Sequence, residues 1–303
     1  MRILFVTSSR IGDAVLSTGL LDHLIRTHPD ARITVACGPV AEGVFLRMPC
    51  LERLVLVEKR PYGRHWLGLW AATAPHWWDL VVDIRASALA WLVPTRRRAV
   101  MRKRPGHKTA QLAAILGLAA PPLPVAWFAP EDRTRARALV GPGSTPVIAL
   151  GPTANWDGKV WPAERFVALT RALQAGPLAG ARVVVLAGPG AQERALAAPV
   201  LAALPQAIDL AGRLTLAEAA ACLAECALFV GNDSGLMHLA AAAGTPTLGL
   251  FGPTPAAEYA PAGRRARAVL AQGDRMEDLS VEAAFAAACG LLEPVARTVE
   301  PAA

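Results

Sequence analysis

Short runs of consecutive apolar residues, each closed by a polar or glycine-containing break, recur along the whole chain. Most are followed by a stretch whose apolar residues return at helical spacing. Arg2–Thr7 (RILFVT) is apolar at successive positions, the pattern of a strand buried on both faces of a parallel sheet. Ser8–Gly12 reads as a loop, and Asp13–Thr27 as a helix with Val15, Leu16, Leu20 and Leu24 at helical spacing. His28-Pro29-Asp30 stops that helix, and Ala31–Cys37 is the next strand, so the chain opens with a right-handed β-α-β unit. Leu54–Val57 and Leu80–Ile84 read as further strands, with Glu58–Asp79 as a long loop between them.

Two Pro/Gly-rich breaks follow, Ala119–Pro124 (AAPPLP) and Gly141–Pro146 (GPGSTP). The second sets the expected boundary between domains 1–145 and 146–303. Beyond it, strands are expected at Val147–Leu150, Arg182–Ala187, Ala207–Leu210, Leu228–Val230, Thr247–Phe251 and Ala266–Leu270. Helices are expected at Ala163–Leu173, Gln192–Ala203, Leu216–Glu225, Leu236–Ala243 and Val281–Leu292. The fold class is therefore α/β, two Rossmann-like domains whose parallel sheets face a central cleft. A length of 303 residues, 53% of them hydrophobic, supplies two cores of this size.

The stretch Leu228–Thr254 carries the densest candidate chemistry. A helix that starts on Asp233-Ser234-Gly235 directly after a strand points unpaired N–H groups out of the carboxyl end of a sheet, a ready anion site. Asp233 or Ser234 as an ordinary N-cap is the competing reading. His238, one turn further on, is a satisfied core residue or a phosphate donor. Thr153 and Lys159 lie in the polar loop after the first strand of the second domain, where Lys159 between Trp156 and Trp161 brings a cation near that anion site. Glu193, after Gly188-Pro189-Gly190, either accepts from ribose hydroxyls or decorates a first helical turn. In the first domain Asp13 is either the N-cap of its helix or a carboxylate at a strand's carboxyl end, able to act as a general base.

Charge changes the picture in one place. The net charge of +7 equals the seven cations Arg96, Arg97, Arg98, Arg102, Lys103, Arg104 and Lys108, which lie in one short stretch without an acid. That points to a locally held anionic partner and away from a nucleic-acid coat. Lys59, Arg60, Arg64 and His65 are interleaved with Trp66, Trp70, Trp77 and Trp78, which suits an amphiphilic anionic acceptor or a half-buried aromatic cluster. Five scattered cysteines without metal spacing are expected as reduced thiols. No run is long enough for a transmembrane helix, and the N-terminus lacks a signal-peptide core. The first loop lacks G-x-G-x-x-G, which disfavours a nicotinamide-dependent dehydrogenase.

Three blocks, ILFVTSSRIGDAVLSTGLL, TANWDGKVWP and GNDSGLMHLAAAAGTPTLGLFGPT, resemble in order and spacing those of glycosyltransferase family 9, the ADP-heptose:lipopolysaccharide heptosyltransferases of GT-B fold. Tyr62–Val125, on the acceptor side, matches no block of that family. The resemblance implies an inverting, metal-independent transfer without cofactor, from a nucleotide-sugar donor such as ADP-heptose to an anionic glycolipid acceptor. It implies Asp13 as general base, Lys159 and Thr153 on the donor phosphates, Asp233 on the donor sugar, and Ser234, Gly235 and His238 along the diphosphate. Glu193 would bind the nucleoside. Arg60, Arg64, Arg97 and Arg98 are the acceptor-binding candidates. A cytoplasmic protein in peripheral contact with the inner membrane, with no nucleic acid partner, completes the expectation. The alternatives are a sugar-nucleotide epimerase of the same architecture and a non-catalytic nucleotide-sugar binding protein.

Overall fold

The computed structural model describes residues 1–141 and 143–293 and carries two parallel sheets. The first comprises β1 (Arg2–Val6), β2 (Arg32–Cys37), β3 (Leu51–Leu56), β4 (Trp78–Asp83) and β5 (Thr95–Val100), in the order β3-β2-β1-β4-β5. The second comprises β6 (Val147–Gly151), β7 (Arg182–Val185), β8 (Ile208–Asp209), β9 (Leu228–Asn232), β10 (Thr247–Phe251) and β11 (Ala266–Leu270). Its order is β11-β10-β9-β6-β7-β8. In each sheet the first strand lies where the strand order reverses, β1 between β2 and β4, and β6 between β9 and β7. Such switch points open a crevice at the carboxyl ends of the strands.

The unbroken apolar run of β1 has a direct packing reason. Ile3 and Phe5 join the core formed with Ala14, Val15 and Leu20 of helix α1 (Ile11–Thr27). Leu4 and Val6 face the opposite side, against Leu69 of α3 (His65–Thr73) and Leu89 of α4 (Leu89–Leu92). Helix α2 (Glu42–Phe45) shares the α1 side through Val44 and Phe45. That inner core runs without interruption into the second half, through Ala149, Val184, Phe229 and Leu239.

Helix α5 (Lys108–Ala113) packs beside α1, and α6 (Pro130–Val140) leads into the second half. There α7 (Ala163–Ala175), α8 (Ala191–Ala203) and α12 (Val281–Leu292) cover the far face of the second sheet. Helices α9 (Leu216–Ala224) and α10 (Gly235–Ala242) turn toward the first half, and α11 (Ala256–Tyr259) follows β10. α1 packs on α10, and α6 and α2 pack on α9. Arg47 grips Asp132 with two hydrogen bonds of 2.9 and 3.0 Å. Burial opposes the charge on Asp132, but Arg47 and the Ala129 N–H outweigh it and hold the carboxyl below its ordinary range.

Several expected elements change. Helix α1 begins at Ile11 with Arg10 at the N-cap, so Asp13 sits in the first turn and is not a cap. Glu58–Asp79 is no open loop, because it folds into a short turn of 3-10 helix at Pro61–Gly63 and then α3. Trp78 leaves that segment altogether and is buried in β4, its indole N–H donating to the Thr73 carbonyl. Arg96–Arg98 form part of the edge strand β5, with a partner strand on one side only. At β9 the strand continues through Gly231 and Asn232, which shortens the expected turn to Asp233-Ser234.

Candidate active site

Helices α1 and α10 both start at the crevice, and their N-termini touch. A Cβ added at Gly235 would lie 2.9 Å from Ile11 Cβ, closer than real Cβ atoms approach, so only glycine lets the two helix ends meet. On the facing turn, the Gly12 position lies against the His238 ring, 3.0 Å from its Cδ2 for an added Cβ. The contact places Asp13 of the first half beside residues of the second, and its charge acts on His238 and on Tyr259.

The second half supplies a bonded frame. Lys159, at the end of a 3-10 turn spanning Asp157–Lys159, reaches back to the end of β9 and bonds Asp233 Oδ2 at 2.6 Å. Both members are largely buried, so the pair is shielded from salt and from water. Ser234 is the N-cap of α10, its Oγ accepting from Met237 N at 3.5 Å. The first N–H groups of α10 have no partner within the helix and add partial positive charge at the crevice. Beyond the carboxyl ends of β6 and β7, the Thr153 hydroxyl donates to Glu193 Oε2 at 3.2 Å, and the Gly188 N–H donates to the same oxygen.

His238 is the most perturbed group of the site. Burial pushes its pKa down to about 4, against the pull of the carboxylates of Asp233 and Asp13, so the ring is neutral near pH 7. Its Nε2 stands 4.0 Å from Asp233 Oδ1, and its buried Nδ1 has no hydrogen-bond partner. Asn232 behind it is fully buried. Its Oδ1 accepts from Trp161 N at 3.1 Å, while its Nδ2 is likewise unpartnered. Two unpaired, buried polar nitrogens at the junction of β9 and α10 are expensive and are expected where a polar ligand binds.

The structure thus gathers Asp13, Lys159, Asp233, Ser234, Gly235 and His238 where α1 meets α10, and pairs Thr153 with Glu193 beyond the carboxyl ends of β6 and β7. Lys159 differs from expectation in its neighbours. Trp161 turns into the core, bonding the Leu279 carbonyl through its indole N–H, and Trp156 lies over Gly158, so Asp233 is what holds the ammonium. Arg60 and Arg64 flank the exposed 3-10 turn after β3 and are free of ion pairs among the described residues. Arg97 and Arg98 lie on β5, and Arg98 serves the outer side of the sheet. Its Nε donates to the Ala90 carbonyl at 2.6 Å and its guanidinium sits 5.5 Å from the Trp91 ring.

Three polar residues not singled out from sequence stand at the carboxyl ends of β1, β4 and β9. Ser8 Oγ donates to Asp13 Oδ2 at 3.3 Å and restrains the carboxylate. Asp83, opposite Val6 in the register of β4 with β1, is fully buried. It accepts from the N–H groups of Arg85 and Ser87 and from the Ser87 hydroxyl, while burial raises its pKa. Asn232 is the third. An acid or amide closing an apolar strand was the available signal for the last two. Among the described residues, no three His, Cys, Asp or Glu side chains gather as a metal site requires.

Comparison with known proteins agrees with this architecture. The chain is 34% identical over 125 residues to lipooligosaccharide heptosyltransferase 2 of Haemophilus influenzae, a match covering 39% of this chain and 34% of that protein. Here the chain matches about a third of the relative's length. It is 27% identical to lipopolysaccharide heptosyltransferase 2 of Salmonella typhimurium over 89% of this chain and 88% of that one. Among solved structures, the ADP-heptose lipopolysaccharide heptosyltransferase II of E. coli superposes with a TM-score of 0.76. That match has 21% identity and covers 96% of this chain and 98% of the other, a likeness of fold. The profile of glycosyltransferase family 9 (heptosyltransferase) matches residues 85–288, two-thirds of the sequence, and the chain belongs to that family.

Proposed function

We propose that this glycosyltransferase moves a heptose from ADP-heptose to a hydroxyl of a lipopolysaccharide core, by an inverting displacement that needs neither divalent metal nor cofactor. The observation that carries the reading is the meeting of one carboxylate, Asp13, with the Lys159–Asp233–His238 cluster across the touching ends of α1 and α10. Residues 1–145 form the acceptor half and 146–303 the donor half. The named donor of the E. coli relative and the names of the Salmonella and Haemophilus relatives support donor and acceptor class.

Asp13 takes the proton of the acceptor hydroxyl as its oxygen attacks the anomeric carbon. The bond from that carbon to the diphosphate oxygen breaks on the opposite face, and ADP leaves with the electron pair. The growing negative charge is met by Lys159 and by the N–H groups that open α10, with Ser234 and Gly235 against the diphosphate. Asp233 holds Lys159 in place and accepts from the sugar hydroxyls. Neutral His238 contributes hydrogen bonding without charge. Thr153 contacts phosphate, and Glu193 binds the nucleoside. Arg60, Arg64, Arg97 and Arg98 serve the anionic acceptor, which is presented at the cytoplasmic face of the inner membrane, where the protein docks peripherally.

A donor screen tests the reading. ADP-heptose, UDP-sugars and GDP-sugars are offered with and without a truncated lipopolysaccharide acceptor, in the presence of a chelator, and nucleotide release is followed. ADP release that requires both the heptose donor and the acceptor, and survives chelation, is expected. Release from another donor only, or release abolished by the chelator, overturns donor identity or metal independence respectively.

A further inference from the structure

The outer side of the first sheet is covered thinly. Among the described residues, α3 and the four-residue α4 are the helices that lie over it, and the cluster beneath them is small. Their solvent side is strongly apolar: Leu67 and Trp70 of α3, and Trp91 and Leu92 of α4, are all exposed, Leu67 and Trp91 by about two-thirds. The four form one patch, because the Trp70 indole N–H donates to the Leu92 carbonyl at 3.0 Å and Leu67 lies one turn before Trp70. Trp77, 62% exposed, stands just beyond the end of α3. Isolated exposed apolar residues are ordinary, but a contiguous indole and leucine patch marks an interaction surface.

The charges of the two segments that carry it have one sign. Residues 59–78 and 84–130 contain no Asp or Glu at all. Arg98 lies against Trp91, and Arg53, donating to the Ala72 carbonyl, closes the far end of α3. Strand alternation puts Arg96 on the same side as Arg98, and both are exposed. Indoles and leucines rimmed by arginines, with no acid among them, match the depth profile of an anionic bilayer surface. Rings take the headgroup level, apolar tips reach the acyl boundary, and guanidinium groups meet lipid phosphates. A soluble acidic protein would attract the arginines but leave four large apolar side chains unmatched. Among the described residues no helix is long and apolar enough to cross a membrane, so the contact is one of lying on the surface.

We infer that the α3–α4 face, with Trp91 and Leu92 at its tip, docks the protein on an anionic phospholipid surface. The inference rests on the glycolipid-acceptor reading above and adds the surface by which the membrane is met. Co-sedimentation with vesicles of phosphatidylcholine alone, and of phosphatidylcholine with phosphatidylglycerol, tests it on the full chain. Wild type is expected to bind the mixed vesicles, less at high salt, and to be quenched by lipids brominated on the acyl chain. The double substitution Trp91→Ala/Leu92→Ala is expected to lower that partitioning by about tenfold or more. The same variant keeps the wild-type rate of nucleotide release with a water-soluble, deacylated acceptor, so a failure of docking and a failure of the transfer reading are read separately. Wild type that ignores the mixed vesicles, or a variant that binds them as tightly, overturns the inference. So does a wild-type dimer in light scattering that the variant abolishes, which assigns the face to a second copy.

Discussion

The two sides of the first sheet have been put to opposite uses. The inner side, through Ile3 and Phe5 and helix α1, is continuous with the core of the second half and ends at the crevice in Asp13. The outer side, through Leu4 and Val6, is covered by α3 and α4 and leaves Trp70, Trp91 and Leu92 in solvent. Both sides are apolar in sequence. What separates them is what each meets: a matching helix layer on one side, and a rim of arginines and open solvent on the other. The inner side is therefore a place of fixed geometry, suited to chemistry, and the outer side a surface suited to contact.

The strongest break of this contrast is made on the inner side. Asp13→Asn keeps shape and removes the base, and is expected to lower turnover by at least about a hundredfold with donor affinity nearly unchanged. Single-turnover kinetics and ADP-heptose titration of the variant check it; equal turnover defeats the assignment. Next is Lys159→Met, which removes the ammonium from Asp233. A loss of about 2 kcal/mol in kcat/KM is expected, with partial recovery in Lys159→Arg. An unchanged kcat/KM would show that the leaving diphosphate does not use this cation.

His238 sharpens the contrast through pH, because its ordinary pKa of 6.5 falls to about 4 on burial. Below pH 6.5 the unfolded chain gains this proton while the folded chain resists it until about pH 4. The stabilisation is therefore complete above pH 6.5 and is lost as pH falls through that window. Urea unfolding at pH 7.5 and at pH 5 is expected to show wild type losing up to about 2 kcal/mol more than His238→Gln. The smallest effect belongs to the exposed cations. Arg60→Ala, Arg64→Ala and Arg97→Ala are each expected to raise KM for the lipid acceptor a few-fold, about 1 kcal/mol at most, and less at high salt. If donor KM rises instead, these arginines belong to the other half of the reaction.

Where a strand is buried on both faces the chain spells it out, and Thr247–Phe251 is found with the expected bounds, as is the half-exposed edge strand Ala266–Leu270. Helix α3 was hidden because Trp66, Leu67, Leu69 and Trp70 put apolar groups nearly all round it, leaving no polar side to mark a period. Strand β5 was hidden because three consecutive arginines look like loop, yet an edge strand needs only one hydrogen-bonded neighbour and exposes its side chains. The candidate site was legible where its parts are local, as in the Asp233-Ser234-Gly235 start of α10.

By itself the sequence determined the alternation of strands and helices, the two halves' common build, and the residue types at the strand ends. These depend on neighbours a few positions away, through periodicity and turn chemistry. Only the tertiary structure decided that Lys159 is held by Asp233, 74 positions on, that Gly12, the neighbour of Asp13, lies against His238, and that the outer tryptophans stay uncovered. Each of these follows from how two separately patterned helix layers pack across a gap. That packing depends on the missing side chain at Gly235 and on the short reach of α4, and no local pattern encodes either distance.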